Sequence, residues 1–216
     1  MAALVPSVLQ LPHYWLRPLL DGGATAAELT VQERDWCAQL APALRSRYAG
    51  SRRWLRHQLA ELLGMPAAAV PLHSPPGAPP LLSGGLGFLS LSHSGAQVLL
   101  AWSPAPIGVD LEWAQRPLQA AALARRFFPA EEAEGLLALP AADQPRALLE
   151  SWVRKEAAIK WQGSSLAQDL RHWCWDAARG ELRHLRQGWR PASLCRWRDG
   201  WFCGAVGEAV ERGIWG

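Results

Sequence analysis

Lysine is nearly missing from this sequence. Of its 22 lysine and arginine residues only two are lysine, Lys155 and Lys160, and both fall in one short stretch, WVRKEAAIK. A compact ammonium and a planar guanidinium are not interchangeable, so a chain that uses arginine everywhere else marks this stretch as chemically special. Cysteine is scarce too. Cys37, Cys174, Cys195 and Cys203 include no pair at C-x-x-C spacing, which argues against a zinc knuckle or a dithiol redox motif and reads as a reduced set in a cytoplasmic protein. Long apolar runs are absent: no segment approaches the roughly eighteen uninterrupted residues of a membrane span. The N-terminal stretch is apolar, but Pro6, Pro12 and Pro18 interrupt it and no basic residue precedes Arg17, unlike the charged start of a signal peptide. No basic run is long enough for a nucleic-acid arm, and a net charge of +3 is too small to argue for nucleic acid.

What is there is a folding chain. Its 50% hydrophobic content allows a sizeable core, and its many tryptophans read as core filling. Residues 26–62 read as helical, with Arg45, Arg47, Arg52, Arg53 and Arg56 clustered there and Leu55, Leu59, Leu62 and Leu63 forming the buried stripe. Gly64 stops that helix, and the Pro- and Gly-rich residues 71–87 read as a loop. A strand FLSLSHS, a second from Gln97 to Trp102 and a third, IGVDLE, follow. The breaker SPAP at 103–106 suggests a division into lobes 1–104 and 105–216. Helices are expected over 118–127, 130–139 and 145–161, then short strands, with Asp199-Gly200 as a hairpin turn. The order gives an α/β chain of the α+β kind.

Asp110 and Glu112 stand two apart on IGVDLE, so both carboxylates leave one face of the strand, opposite Ile107, Val109 and Leu111. Gly108 leaves room on the carboxylate side. Two hard oxygen donors suit magnesium, which takes one or two carboxylates plus substrate phosphates; an ordinary exposed strand face has the same pattern. On the helix at 145–161, Leu148, Trp152, Glu156 and Lys160 lie four apart and share a face, so Glu156 and Lys160 continue a stripe that begins as core. Charges in such a place mark active sites, although a surface ion pair has the same spacing. Lys155 flanks Glu156. Ser92, His93 and Ser94 form a hydroxyl–imidazole–hydroxyl cluster that can donate several hydrogen bonds to a phosphate, or His93 is a satisfied loop histidine.

Four stretches in order, SHSG, GVDLE, RRFFPAEE and WVRKEAAIKWQG, resemble the Sfp-type 4′-phosphopantetheinyl transferase family over roughly residues 88–163. The resemblance implies two similar lobes related by a pseudo-twofold axis, with coenzyme A between them. It implies transfer of the 4′-phosphopantetheine arm of coenzyme A to a serine of an apo acyl or peptidyl carrier protein, giving adenosine 3′,5′-bisphosphate. Asp110, Glu112 and Glu156 then hold Mg2+. Ser92 and His93 contact coenzyme A phosphates, Lys155 and Lys160 meet the pyrophosphate, and Arg47 or Arg52, with Arg34 as a third choice, grips the 3′-phosphate. Glu156 is the expected general base. The family plan implies a monomer. The chain departs from the pattern at Gly77-Ala78-Pro79, where many members carry Gly-Lys-Pro; His73 is a candidate substitute for the absent cation. Two other readings keep the same residues: a non-catalytic coenzyme A or carrier-binding module, and a magnesium-dependent phosphohydrolase.

Overall fold

The computed structural model describes residues 10–18 and 29–216. The fold is mixed α+β, built of a mixed sheet, antiparallel but for its last strand, and an antiparallel sheet, each with a long helix on its outer face. The first sheet contains β1 (His13–Pro18), β4 (Phe88–Ser94) and β5 (Gln97–Ser103). It is completed by β11 (Ile214–Trp215), in the order β11-β1-β5-β4. The second holds β6 (Ile107–Trp113), β9 (Ser193–Arg198) and β10 (Trp201–Gly207), in the order β6-β10-β9. Alternation along the strands builds the layers. Leu99 and Ala101 of the first sheet meet Ile107, Val109 and Leu111 of the second in one core. Val98, Leu100 and Trp102 point the other way and pack on Trp54, Leu55 and Leu59. The last strand, β11, pairs with β1, so the chain re-enters the first sheet after completing the second.

The single helix expected over 26–62 is two helices, α1 (Val31–Gln39) and α2 (Pro42–Leu63); residues 26–28 of that expectation lie outside the described residues. Pro42 cannot donate a backbone hydrogen bond and holds Ala41 extended (φ −55°, ψ 140°), so it ends one helix and starts the next. Thr30 and Glu33 form a reciprocal capping box at the start of α1. Glu33 also receives Arg56 of α2 at 2.9 Å, with both groups buried. Arg56 is thereby a structural residue. Gly64 closes α2 in the left-handed region at φ 65°.

Helices α3 (Ala120–Phe127), α4 (Ala130–Leu137) and α5 (Gln144–Gln162) follow the expected ranges, and α6 (Leu166–Asp169) is a single short turn. Two ribbons, β2 (Leu72–His73) with β3 (Leu81–Leu82) and β7 (Trp173–Asp176) with β8 (Glu181–His184), complete the chain. The room beside Gly108 is filled by α5. A Cβ on Gly108 would stand 1.9 Å from the Ala157 carbonyl oxygen, and one on Gly204 would stand 2.5 Å from that of Val153. These two glycines let the backbone of α5 lie directly on β6 and β10, which brings Glu156 and Lys160 down to the strand carboxylates.

Candidate active site

The site forms where the two sheets meet. β4 and β6 are edge strands of their sheets, and edges leave backbone groups unpaired. Here side chains pair them. Ser90 Oγ accepts the Val109 N–H at 2.9 Å, and Lys160 Nζ donates to the Val109 carbonyl at 3.0 Å. Farther along, Ser92 donates to Asp110 Oδ1 at 2.8 Å and Ser94 to Glu112 Oε2 at 3.4 Å. Both pairs are eighteen residues apart, so the two strands run the same way, with serines on one facing carboxylates on the other.

Asp110, Glu112 and Glu156 come together as expected. One ligand atom from each lies within 4.8 Å of the others. Asp110 is buried, and its Oδ1 accepts both Ser92 and Lys160 Nζ, the latter at 2.8 Å. Its Oδ2 is buried with no hydrogen-bond partner, a costly state that a cation would relieve. Glu112 takes Arg116 at 2.5 Å; burial raises its pKa and the Arg116 bond opposes that rise. Glu156 receives the indole N–H of Trp152 on one oxygen, Oε1, at 2.5 Å. Burial first, then the nearby Asp110 charge, push its pKa up to about 8.

The cationic side includes Lys160, Arg47 and Arg52. Each of them, after burial itself, helps push the His93 pKa down to about 4. His93 is open to solvent on one side and is neutral near pH 7, beside three positive charges. An entering phosphate would reverse that balance and favour its protonation. Arg52 is buried, with Nε on the Ser74 carbonyl at 2.9 Å and its guanidinium 4.7 Å from the centre of the Tyr48 ring; Arg47 is exposed. Arg34 is tied to the Leu29 carbonyl at 2.6 Å. His73 is exposed and packs edge-on against Trp36.

One expected site residue goes elsewhere. Lys155 is fully enclosed and pairs with Glu132 at 2.5 Å on another side of α5, so the expectation that it meets the pyrophosphate is corrected. Its flank of the helix is as buried as the core: Leu148, Ser151, Lys155 and Ile159, at helical spacing, are all 3% exposed or less. That spacing was the available signal. Arg116 and Trp152 were not expected at the site, and Ser94, read with Ser92 and His93 as a phosphate donor, was not expected to bond Glu112. For Ser94 the clue was its alternation with Ser92, matching that of Asp110 and Glu112; for Trp152 it was the four-residue step to Glu156.

A second group of ligand-type side chains, Asp169, His172 and His184, also converges. His184 Nδ1 accepts the N–H groups of Arg186 and Gln187 at 3.3 and 3.1 Å. Its proton therefore sits on Nε2, facing Asp169 Oδ1 at 3.3 Å. Asp169 Oδ2 is already taken by Gln162 and Ser164. This group is a hydrogen-bonded clamp that holds α6 to β8, and a metal would have to displace that proton.

Comparison with known proteins agrees with this geometry. Residues 106–205, which span β6, α5 and most of β10, match the model of the 4′-phosphopantetheinyl transferase superfamily. Over 117 residues the chain is 33% identical to 4′-phosphopantetheinyl transferase psf-1 of Bacillus pumilus, covering 54% of this chain and 49% of that protein. It is 36% identical over 81 residues to 4′-phosphopantetheinyl transferase Sfp of Bacillus subtilis (strain 168), covering 38% and 35%. It is 32% identical over 133 residues to 4′-phosphopantetheinyl transferase HetI of Nostoc sp. (strain PCC 7120), covering 59% and 56%. The matched stretches span about half the length of these relatives or less. Asp110, Glu112, Glu156 and Lys160 all fall within residues 106–205, so the candidate site lies in the part of the chain that is similar to the 4′-phosphopantetheinyl transferase superfamily.

Proposed function

We propose that this chain moves the 4′-phosphopantetheine arm of coenzyme A to a serine of an apo acyl or peptidyl carrier protein, releasing adenosine 3′,5′-bisphosphate. The observation that carries this reading is the buried, unpartnered Asp110 Oδ2 within reach of Glu112 and Glu156. Three hard oxygen donors around such an atom fit Mg2+. Asp110, Glu112 and Glu156 would hold it, and when bound it supplies positive charge against a phosphoanhydride.

The remaining work falls to the chain's own groups. Lys160, already among Asp110, Ser92 and the Val109 carbonyl, is placed to donate to a phosphate oxygen. His93, Arg47 and Arg52 offer further donors for coenzyme A phosphates, with Arg47 the open one. Glu156 is the group placed to take the proton of the carrier serine as general base. The serine oxygen–phosphorus bond forms as the anhydride phosphorus–oxygen bond breaks, and the bisphosphate leaves with the electron pair. Trp152 donates to Oε1 of Glu156 and fixes how its carboxyl group is turned. In this reading residues 1–104 contribute phosphate contacts, while residues 105–216 contribute the metal ligands and α5. We place the enzyme in the cytoplasm, in keeping with its four free cysteines, and as a monomer, which the two-lobe family plan implies.

The test is intact-mass analysis of apo carrier protein after incubation with the chain, coenzyme A and Mg2+. A gain of one phosphopantetheine arm is expected. Nucleotide release without any carrier would favour the phosphohydrolase, and saturable coenzyme A binding without transfer would favour the binding module. Near-normal turnover by Glu156→Gln would remove Glu156 as the base.

A further inference from the structure

The RRFFPAEE stretch takes no part in the carboxylate cluster, yet two of its residues reach α5 from another side. Phe128, between α3 and α4, places its ring centre 3.4 Å from Lys155 Nζ. Glu132, in the first turn of α4, places Oε2 2.5 Å from the same nitrogen. Lys155 is fully enclosed and the Glu132 side chain is 5% exposed. The carboxylate has two more partners: the Ser151 hydroxyl of α5 donates to Oε1, and the Trp175 N–H of β7 donates to Oε2 at 3.2 Å. One carboxylate therefore joins α4, α5 and β7.

An ammonium taken wholly out of water is expensive unless it is paired, and the face of an aromatic ring adds a weaker attraction. A buried pair of this kind adds little net stability over apolar side chains of equal volume. Its effect is geometric, because a slide or rotation of α5 would strand both charges. The next residue along the helix is Glu156, and Lys160 lies one turn beyond it.

We propose that Lys155 is a positioning residue: locked by Glu132 and Phe128, it fixes the rotation of α5 so that Glu156 and Lys160 meet Asp110 and Glu112, and it touches no ligand itself. This rests on the reading of that cluster as the reactive centre. It also explains why RRFFPAEE and WVRKEAAIK occur in one chain, since each contains half of the lock.

The experiment compares the full chain with Lys155→Met, Glu132→Gln and the double variant, by transfer kinetics and by backbone amide exchange across α5. Lys155→Met leaves Glu132 buried without its cation. It should raise exchange in α5 and lower kcat about 100-fold, the scale of an ångström's misplacement, with KM for coenzyme A changed less than about threefold. The double variant strands no charge: its amide oxygen can accept from the Trp175 N–H, while its NH2 donates to the Ser151 hydroxyl, which can reverse its role. Protection of α5 should return, and kcat should recover to within about tenfold of the unaltered chain, a strong non-additivity. A double variant with restored protection and the full kcat loss would overturn the proposal, because Lys155 would then act on the ligand. Unchanged exchange and kcat in Lys155→Met would overturn it as well. If Lys155→Met does not fold, a folded, fully protected double variant that transfers nothing also overturns the proposal. If the unaltered chain transfers nothing, the functional reading fails, and the exchange pattern alone decides whether the pair holds α5.

Discussion

Gly108→Ala is a small substitution with a large expected effect. Its added methyl carbon would sit 1.9 Å from the Ala157 carbonyl oxygen and 2.5 Å from the Trp161 nitrogen. Cβ atoms essentially never come within 3.0 Å of such neighbours, so helix and strand must separate by roughly an ångström, against a close-packed interior. Both obstructing atoms are helix backbone, which cannot swing aside as a side chain can. Overpacking of this kind costs about 1–3 kcal/mol, which a thermal melt will register. The separation also carries Glu156 and Lys160 away from Asp110 and Glu112, and a shift of that size lowers kcat on the order of 100-fold. Gly135→Ala is the control. Gly135 lies inside α4 with open space where its Cβ would be, so alanine there should add about 0.5–1 kcal/mol through helix propensity and leave kcat alone. A Gly108→Ala protein with unaltered melting and turnover would refute the account of how α5 is seated.

Two further outcomes follow from the site. The Glu156 carboxyl, raised from 4.5 to about 8, binds more protons folded than unfolded across that interval, so its contribution to stability falls as pH rises through it. His93, lowered to about 4, has the opposite sign but acts only below about pH 6.5. Between pH 6.5 and 8 Lys155, brought down to about 8 by burial, opposes only at the upper end, and the Glu156 effect leads. Magnesium competes with that proton, so the rise in Tm on adding Mg2+ should grow between pH 6.5 and 8 and lose its slope in Glu156→Gln; a pH-independent rise would count against metal binding at Glu156. The two arginines should also separate. Arg47→Ala, at an exposed residue, should raise KM for coenzyme A about tenfold or more, the scale of one charge-assisted hydrogen bond, at unchanged Tm. Arg52→Ala also loses its bond to Ser74 and its packing on Tyr48 and should lower Tm; equal Tm values for both would refute this division.

Much of the centre was legible because it obeys simple periods. IGVDLE alternates, so its apolar set had to face one way and its carboxylates the other. The step of four from Leu148 to Lys160 put Glu156 and Lys160 on one face of α5. Other features depended on contacts that no local pattern carries. β1 was missed because Pro12 and Pro18 bound it and its partners lie far away in β5 and β11. The break at Pro42 was readable from the proline, and the leucine stripe of α2 obscured it. Lys155 was misplaced because its charge argued for a ligand, whereas its partner, Glu132, lies on another helix.

The meeting of β4 and β6 has one more consequence. A backbone ladder between strands is indifferent to side chains, so evolution can alter the residues on it and keep the joint. Here the joint is made by Ser90, Ser92, Ser94 and Lys160, and two of these four also hold Asp110. The fastening between the halves and the tuning of the carboxylate are thus written in the same few side chains. Selection for a sturdier protein would find its improvements anywhere but along this seam, where each change in fit is also a change in chemistry.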